Sequence, residues 1–189
     1  MRELSLNVMD IAQNSISAGA SLITIQVVED VPGDLLSISV TDNGCGMTKE
    51  QVEHVIDPFY TTRTTRSVGL GVPLFKMEAE MTGGSFVIDS EKGKGTTLTA
   101  SFKPSSVDMI PLGDISGTVQ LLISCNPDRD FLFTRQRRGE DGTQRDFALD
   151  TRELRQVLGD DVPLDSPDVV LWIKEFLEEQ TGELLKPSC

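Results

Sequence analysis

Between residues 3 and 18 the apolar positions Leu4, Val8, Ile11, Ala12 and Ile16 recur at helical spacing, and Gly19 follows as a stop signal. The pattern predicts an amphipathic helix over Glu3–Ala18, with Asn7, Asp10, Asn14 and Ser17 together on the opposite, polar side. Leu22–Val28 and Leu35–Thr41 then alternate like half-buried strands, joined across Pro32-Gly33 as a hairpin. Thr48 and Gln51 form a capping-box signature for a short helix carrying Val52, Val55 and Ile56, which stops near Asp57-Pro58. A Thr/Arg-rich stretch without periodicity follows. A second long helix is predicted from Val72 to Met81, ending at Gly83-Gly84, and two strands follow at Ser85–Ser90 and Thr96–Phe102. The order is α-β-β-α-α-β-β.

At Lys103-Pro104-Ser105-Ser106 the alternation stops and proline breaks the strand ladder, so a boundary is expected between residues 1–103 and an appendage over 107–189. In the appendage, Ile115–Ser124 reads as a helix capped by Asp114, and Phe131–Arg137 and Arg145–Leu149 as strands joined around Gly139–Gly142. Helices at Thr151–Leu158 and Pro167–Glu179 complete it. In the last of these Trp172, Phe176 and Leu177 have the spacing of a docking stripe, and packing into the core is the use expected of them.

A chain of 189 residues with 38% hydrophobic composition is long and apolar enough for a packed core. The formal charge of -13 divides as -5 over residues 1–104 and -8 over residues 105–189, so both halves repel a nucleic-acid backbone and no nucleic-acid partner is expected. Neither a membrane-spanning apolar run nor a secretory leader is visible, which predicts a cytoplasmic location and no membrane partner. Cys45, Cys125 and Cys189 are widely spaced and the chain has one histidine, so neither a disulfide framework nor a zinc site is expected.

Four places carry candidate chemistry. Asp10 and Asn14 lie one turn apart on the polar helix side and can address one ligand; alone, such a stripe is more often a solvated face. Asp42-Asn43-Gly44-Cys45-Gly46-Met47 follows a predicted strand, placing a carboxylate and two glycines where binding loops form, although an ordinary turn uses the same residues. Gly69-Leu70-Gly71 stands directly before the helix opening at Val72, so backbone N–H groups and the helix dipole would face an anion such as phosphate. Upstream, Thr61, Thr62, Arg63, Thr64, Thr65 and Arg66 supply hydroxyl and guanidinium donors suited to phosphate, as well as to a plain surface loop. Last, Gly93-Lys94-Gly95-Thr96 is a tight turn whose threonine can reach a base or a bridging water.

In this order the four elements resemble the GHKL (Bergerat-fold) ATP-binding family, which includes sensor histidine kinases, mismatch-repair ATPases, type II topoisomerases and heat-shock chaperones. Asn14 is similar to its N-box asparagine, Asp42 to Gly46 to its DxGxG box, Gly69-Leu70-Gly71 to its second glycine box, and Gly93 to Thr96 to its third. Pro58-Phe59-Tyr60-Thr61-Thr62-Arg63 resembles the phenylalanine box of histidine kinases, whereas the helix end from Asn14 through Ser17 and Ala18 to Ala20 resembles mismatch-repair ATPases.

Over residues 1–103 the resemblance implies a two-layer α/β sandwich, a mixed sheet backing helices on one face, with ATP held between the first helix and a lid. It implies that Asp42 accepts a bond from the adenine amino group and that Asn14 ligates Mg2+, which keeps waters and prefers phosphate oxygens. Ser17, Ala18, Gly44, Gly46, Met47, Phe59, Thr61, Thr62, Arg63, Arg66, Gly69, Leu70, Gly71, Val72 and Thr96 complete the expected nucleotide contacts. Asp10 stands where family ATPases carry a water-activating glutamate, so it is the candidate general base, one methylene shorter. The family often opens with a strand before the first helix; none is available here, and the C-terminal hairpin or a partner is expected to cover that sheet edge.

Histidine kinases also carry a helical hairpin with the phosphoacceptor histidine upstream of this helix, whereas this sequence begins at the helix. His54, in the short helix, is expected to pack or face solvent. Three functions follow: an ATP/Mg-dependent kinase acting on a separate protein target in trans, an ATPase conformational switch, and a nucleotide-sensing module without turnover. A homo-oligomer is left open.

Overall fold

The computed structural model describes residues 3–57, 70–159 and 161–187. Chain order gives α1 (Leu4–Ser17), β1 (Leu22–Asp30), β2 (Leu35–Asp42), α2 (Lys49–Val55), α3 (Gly71–Met81), β3 (Ser85–Glu91) and β4 (Gly95–Phe102). Then come α4 (Ile115–Cys125), β5 (Asp130–Arg138), β6 (Gln144–Asp150), α5 (Thr151–Leu158) and α6 (Pro167–Leu185). Local chemistry sets the boundaries. Thr48 caps α2 through a full capping box with Gln51, Asp114 accepts from Gly117 N–H at the start of α4, and Asp150 caps α5.

The six strands form one mixed sheet in the order β3-β4-β2-β1-β5-β6. All pairings are antiparallel except β1 with β5, which run parallel from Leu22 opposite Asp130 to Asp30 opposite Arg138. Strand alternation puts Ile23, Ile25, Val27, Leu36, Ile38, Val40, Leu98, Ala100, Phe102, Phe131 and Phe133 on the buried face, beneath α1, α3, α4 and α6. Phe75 of α3 meets Phe102 at 5.3 Å between ring centroids, and Phe133 meets Phe147 edge-on at 5.8 Å. The other face is rich in hydroxyls, paired across strands as Ser39 with Thr99 at 3.0 Å and Thr41 with Thr97 at 3.2 Å. The architecture is the expected two-layer α/β sandwich.

The hairpin β5–β6 is what lies against the edge of β1, as anticipated, so no partner is needed there. The segment leading to it turns back onto α1: the N–H groups of Leu4 and Ser5 donate to the carbonyls of Pro111 and Leu112 at 3.0 and 2.9 Å. These bonds serve helix donors that no side chain caps.

Two expectations need correction. Asn7 does not share the solvent side with Asp10, Asn14 and Ser17. It is 5% exposed and donates its amide N–H to the carboxylate of Glu78 on α3, because the face of α1 toward α3 is covered by a second helix. Trp172 is not core: it is 46% exposed and stacked on Phe176, while Leu177 of the same helix is buried. α6 buries a narrow stripe of Val169, Ile173, Leu177 and Leu184, and Trp172 stands beside it.

Candidate nucleotide-binding site

The end of β2, the C-terminal half of α1 and the β3–β4 turn converge on Asp42. Its Oδ2 accepts from Ser15 Oγ at 2.6 Å and its Oδ1 from the Gly44 N–H at 2.9 Å. An ionised carboxylate offers about four acceptor positions, so lone pairs on both oxygens remain for a further donor. Ser15 is buried on α1 and had no sequence signal: it reads as one more small residue in a helix, and only the β2 register brings it to Asp42.

The loop after Asp42 is fastened on both sides. Cys45 N–H donates to the Ala18 carbonyl at 2.9 Å, and Gly93 N–H donates to the Cys45 carbonyl at 2.7 Å. Met47 N–H donates to Ser90 Oγ at 2.8 Å. The loop glycines answer to this packing. A Cβ on Gly44 would stand 2.9 Å from the Ala18 carbonyl oxygen, and one on Gly46, at φ +62°, would stand 2.0 Å from the Glu91 carbonyl oxygen. Asn43 faces the other way and accepts from the N–H groups of Ser21 and Leu22 at 2.9 and 3.0 Å. Thr96 lies directly opposite Asp42 in the β2–β4 ladder, with its side chain on the same face.

A second convergence lies nearer the N-terminus of α1. Gly71, the first residue of α3, is buried against Asp10: a Cβ there would meet the Asp10 Cβ at 2.7 Å and its Oδ2 at 3.3 Å. Leu70 precedes the helix with no side-chain cap, and Pro73 has no N–H, so the donors of the first turn are those of Gly71 and Val72. Such an end has the donors and dipole for an anion. Asn14, half-buried, lies between the two convergences along α1; Asp10 and Ser17 are exposed.

The structure thus brings Ser15, Ala18, Asp42, Gly44, Gly46, Met47 and Thr96 together at one end and Asp10, Gly71 and Val72 at the other. Leu70 is exposed at the start of α3. Phe59, Thr61, Thr62, Arg63, Arg66 and Gly69 lie outside the described residues. His54 is exposed on α2. Clefts of about 350 and 300 Å³, both lined in part by Arg137 and Arg145, sit elsewhere, where β5 and β6 meet, and involve none of the residues named for the nucleotide.

A mixed sheet covered by helices, with a carboxylate at the end of β2 held from α1 and a glycine-headed α3 beside the same helix, has the acceptor and the helix end that suit a nucleotide. The chain belongs to the family described as histidine kinase-, DNA gyrase B-, and HSP90-like ATPase, which matches residues 1–106. Membership implies ATP binding. Among curated proteins it is 32% identical over 120 residues to the cell-division control histidine kinase PdhS of Brucella anthropi, covering 57% of this chain and 11% of that protein. It is 39% identical over 82 residues to the sensor histidine kinase WalK of Bacillus subtilis, covering 41% of this chain and 13% of that one. The chain therefore spans a small part of these relatives. Among solved structures it resembles the N-terminal domain of a DNA repair protein, with a TM-score of 0.52 at 15% identity over 85% of this chain and 58% of the other, a likeness of fold. No helix among the described residues is long and apolar enough to cross a membrane.

Proposed function

We propose that the chain binds ATP with a magnesium ion along α1 and passes the γ-phosphate, or a nucleotide-dependent signal, to a separate protein. The observation that carries this reading is that one helix contacts both ends of the site: Ser15 bonds Asp42, and Asp10 abuts Gly71. At about 1.5 Å per residue these contacts lie roughly 8 Å apart along the axis, with Asn14 between them. Asp42 would accept from the adenine amino group, since its two protein donors fix the carboxylate while leaving lone pairs for a third. Ser15 and Gly44 hold that acceptor in place before the nucleotide arrives, which lowers the ordering cost of binding.

At the other end the N–H groups of Gly71 and Val72 would receive phosphate oxygens, with Thr61, Thr62, Arg63 and Arg66 as further donors. The Asn14 amide oxygen fits a magnesium ligand, being a neutral oxygen donor half-exposed between the base end and the phosphate end. Bound magnesium neutralises phosphate charge and orients the terminal group. The matched relatives named above are histidine kinases, which favours transfer over simple release. The only histidine of these 189 residues is His54 on α2, so any other histidine acceptor belongs to another segment or chain.

Hydrolysis is the second reading, and the position of Asp10 favours it. Its carboxylate stands beside the helix end proposed to hold the phosphates, where it would take a proton from an attacking water. Incubating the protein with γ-labelled ATP and its co-purifying proteins separates these outcomes. Label on a partner is the expected result; free phosphate, abolished in Asp10→Asn, identifies the ATPase; retained nucleotide with neither product identifies a sensor and contradicts transfer.

A further inference from the structure

We infer that Ser90 is a positioning residue that fixes the hydroxyl of Thr96 as a hydrogen-bond acceptor and so sets which purine the pocket takes; this rests on the ATP-binding reading above. Ser90, Thr96 and Asp42 form one row across β3, β4 and β2, each directly opposite the next in the ladder. Three contacts meet at Ser90 Oγ: the Met47 N–H at 2.8 Å, the Gly95 carbonyl oxygen at 3.1 Å and Thr96 Oγ1 at 2.8 Å.

A serine hydroxyl has one hydrogen and two lone pairs. Met47 N–H can only donate, so it takes one lone pair. The Gly95 carbonyl can only accept, so it takes the hydrogen. Keeping all three contacts at once requires that Thr96 donate the bond it shares with Ser90. Its single hydrogen is committed to Ser90, and only lone pairs remain on Thr96 Oγ1 to face the pocket.

The Asp42 carboxylate, which accepts from both Ser15 and Gly44, stands beside Thr96 on the same face at the usual cross-strand Cβ separation of roughly 5 Å. The row therefore offers acceptors without donors. A 6-amino purine presents N–H groups that match it. A 6-oxo purine presents lone pairs at the same position and is repelled, which is discrimination by a wrongly paired polar group in a half-buried site. Without the Ser90 hydroxyl, Thr96 is free to rotate and donate to a 6-oxo group.

The test is calorimetric titration of the full chain, with magnesium, by ATP and by inosine triphosphate. The wild type is expected to favour ATP by about a hundredfold. Ser90→Ala is expected to shrink that ratio about tenfold, chiefly by improving inosine triphosphate relative to ATP, and Ser90→Thr to retain it. A loss of both affinities in proportion, with the ratio unchanged, is what a merely structural serine gives and overturns the inference. Thr96→Val provides an independent arm: an acceptor-only Thr96 predicts weaker ATP and no weaker inosine triphosphate, whereas weakening of both contradicts it. Failure of the wild type to bind either nucleotide defeats the ATP-binding reading and this inference together.

Discussion

At Gly71 the absence of a side chain decides how closely two helices approach. An added Cβ would stand 2.7 Å from the Asp10 Cβ, a separation that real Cβ contacts do not reach, and both atoms are anchored directly to helix backbone. Gly71→Ala must therefore displace α3 from α1. Overpacking of this kind costs about 1–3 kcal/mol. Urea unfolding is expected to show that loss and, on the proposal that the Gly71 and Val72 N–H groups receive phosphate oxygens, ATP affinity to fall by roughly tenfold. Unchanged unfolding midpoint and affinity would mean that α1 and α3 are not held at this distance. Ser15 and Asn7 carry the same lesson. Each is a polar residue on α1 whose partner, Asp42 or Glu78, is distant in sequence, and each takes its meaning from tertiary packing.

Among the elements, α5 offers a clean test of capping. Asp150 accepts from the Arg152 N–H at 2.9 Å and pairs with the Arg152 guanidinium, which holds its carboxyl below the ordinary value of 3.8; burial opposes the shift. A carboxyl whose folded pKa is depressed stabilises the fold above its unfolded pKa and loses that contribution as pH falls through the lower, folded value. Asp150→Ala is expected to cost about 1 kcal/mol near neutral pH, most of it from the cap because the ion pair is partly solvated. The difference from wild type in chemical unfolding should narrow as pH drops below about 3.8. A difference independent of pH would rule out the ionised cap as its source. The helices and strands themselves were legible in sequence because caps and alternation are local: the Thr48–Gln51 box, the Asp114 cap and the stops at Gly19 and Gly83 all act within a few residues. Asp42, the glycine-headed α3 and the Thr96 turn were legible for the same reason. Ser90 was not, since its three bonds join a loop, its own turn and a neighbouring strand, and a lone serine before a hairpin carries no mark of that.

The whole molecule is organised around a sheet that crosses the expected boundary near residue 104. β5 pairs with β1 over nine residues, α4 packs on α1 and α6 on α4, while Pro111 and Leu112 supply acceptors to the start of α1. A chain ending at Ser106 loses all of these and bares a long parallel edge, so it is expected to aggregate or unfold at temperatures where the full chain is folded. A soluble, cooperatively melting fragment would show instead that residues 107–189 are dispensable for the fold. The hairpin was expected at this edge, but the parallel direction of β5 against β1 was not readable from sequence, because strand direction over a separation of about a hundred residues follows from packing and leaves no local pattern. The measurement that bears most directly on the account is calorimetric titration of ATP, with and without magnesium, into the wild type, Asn14→Ala and Asp42→Asn. The expected result is magnesium-dependent binding by the wild type, loss of the magnesium dependence in Asn14→Ala, and weakened preference for adenine over guanine nucleotide in Asp42→Asn. Identical affinities in all three proteins, or no binding by the wild type, would contradict it.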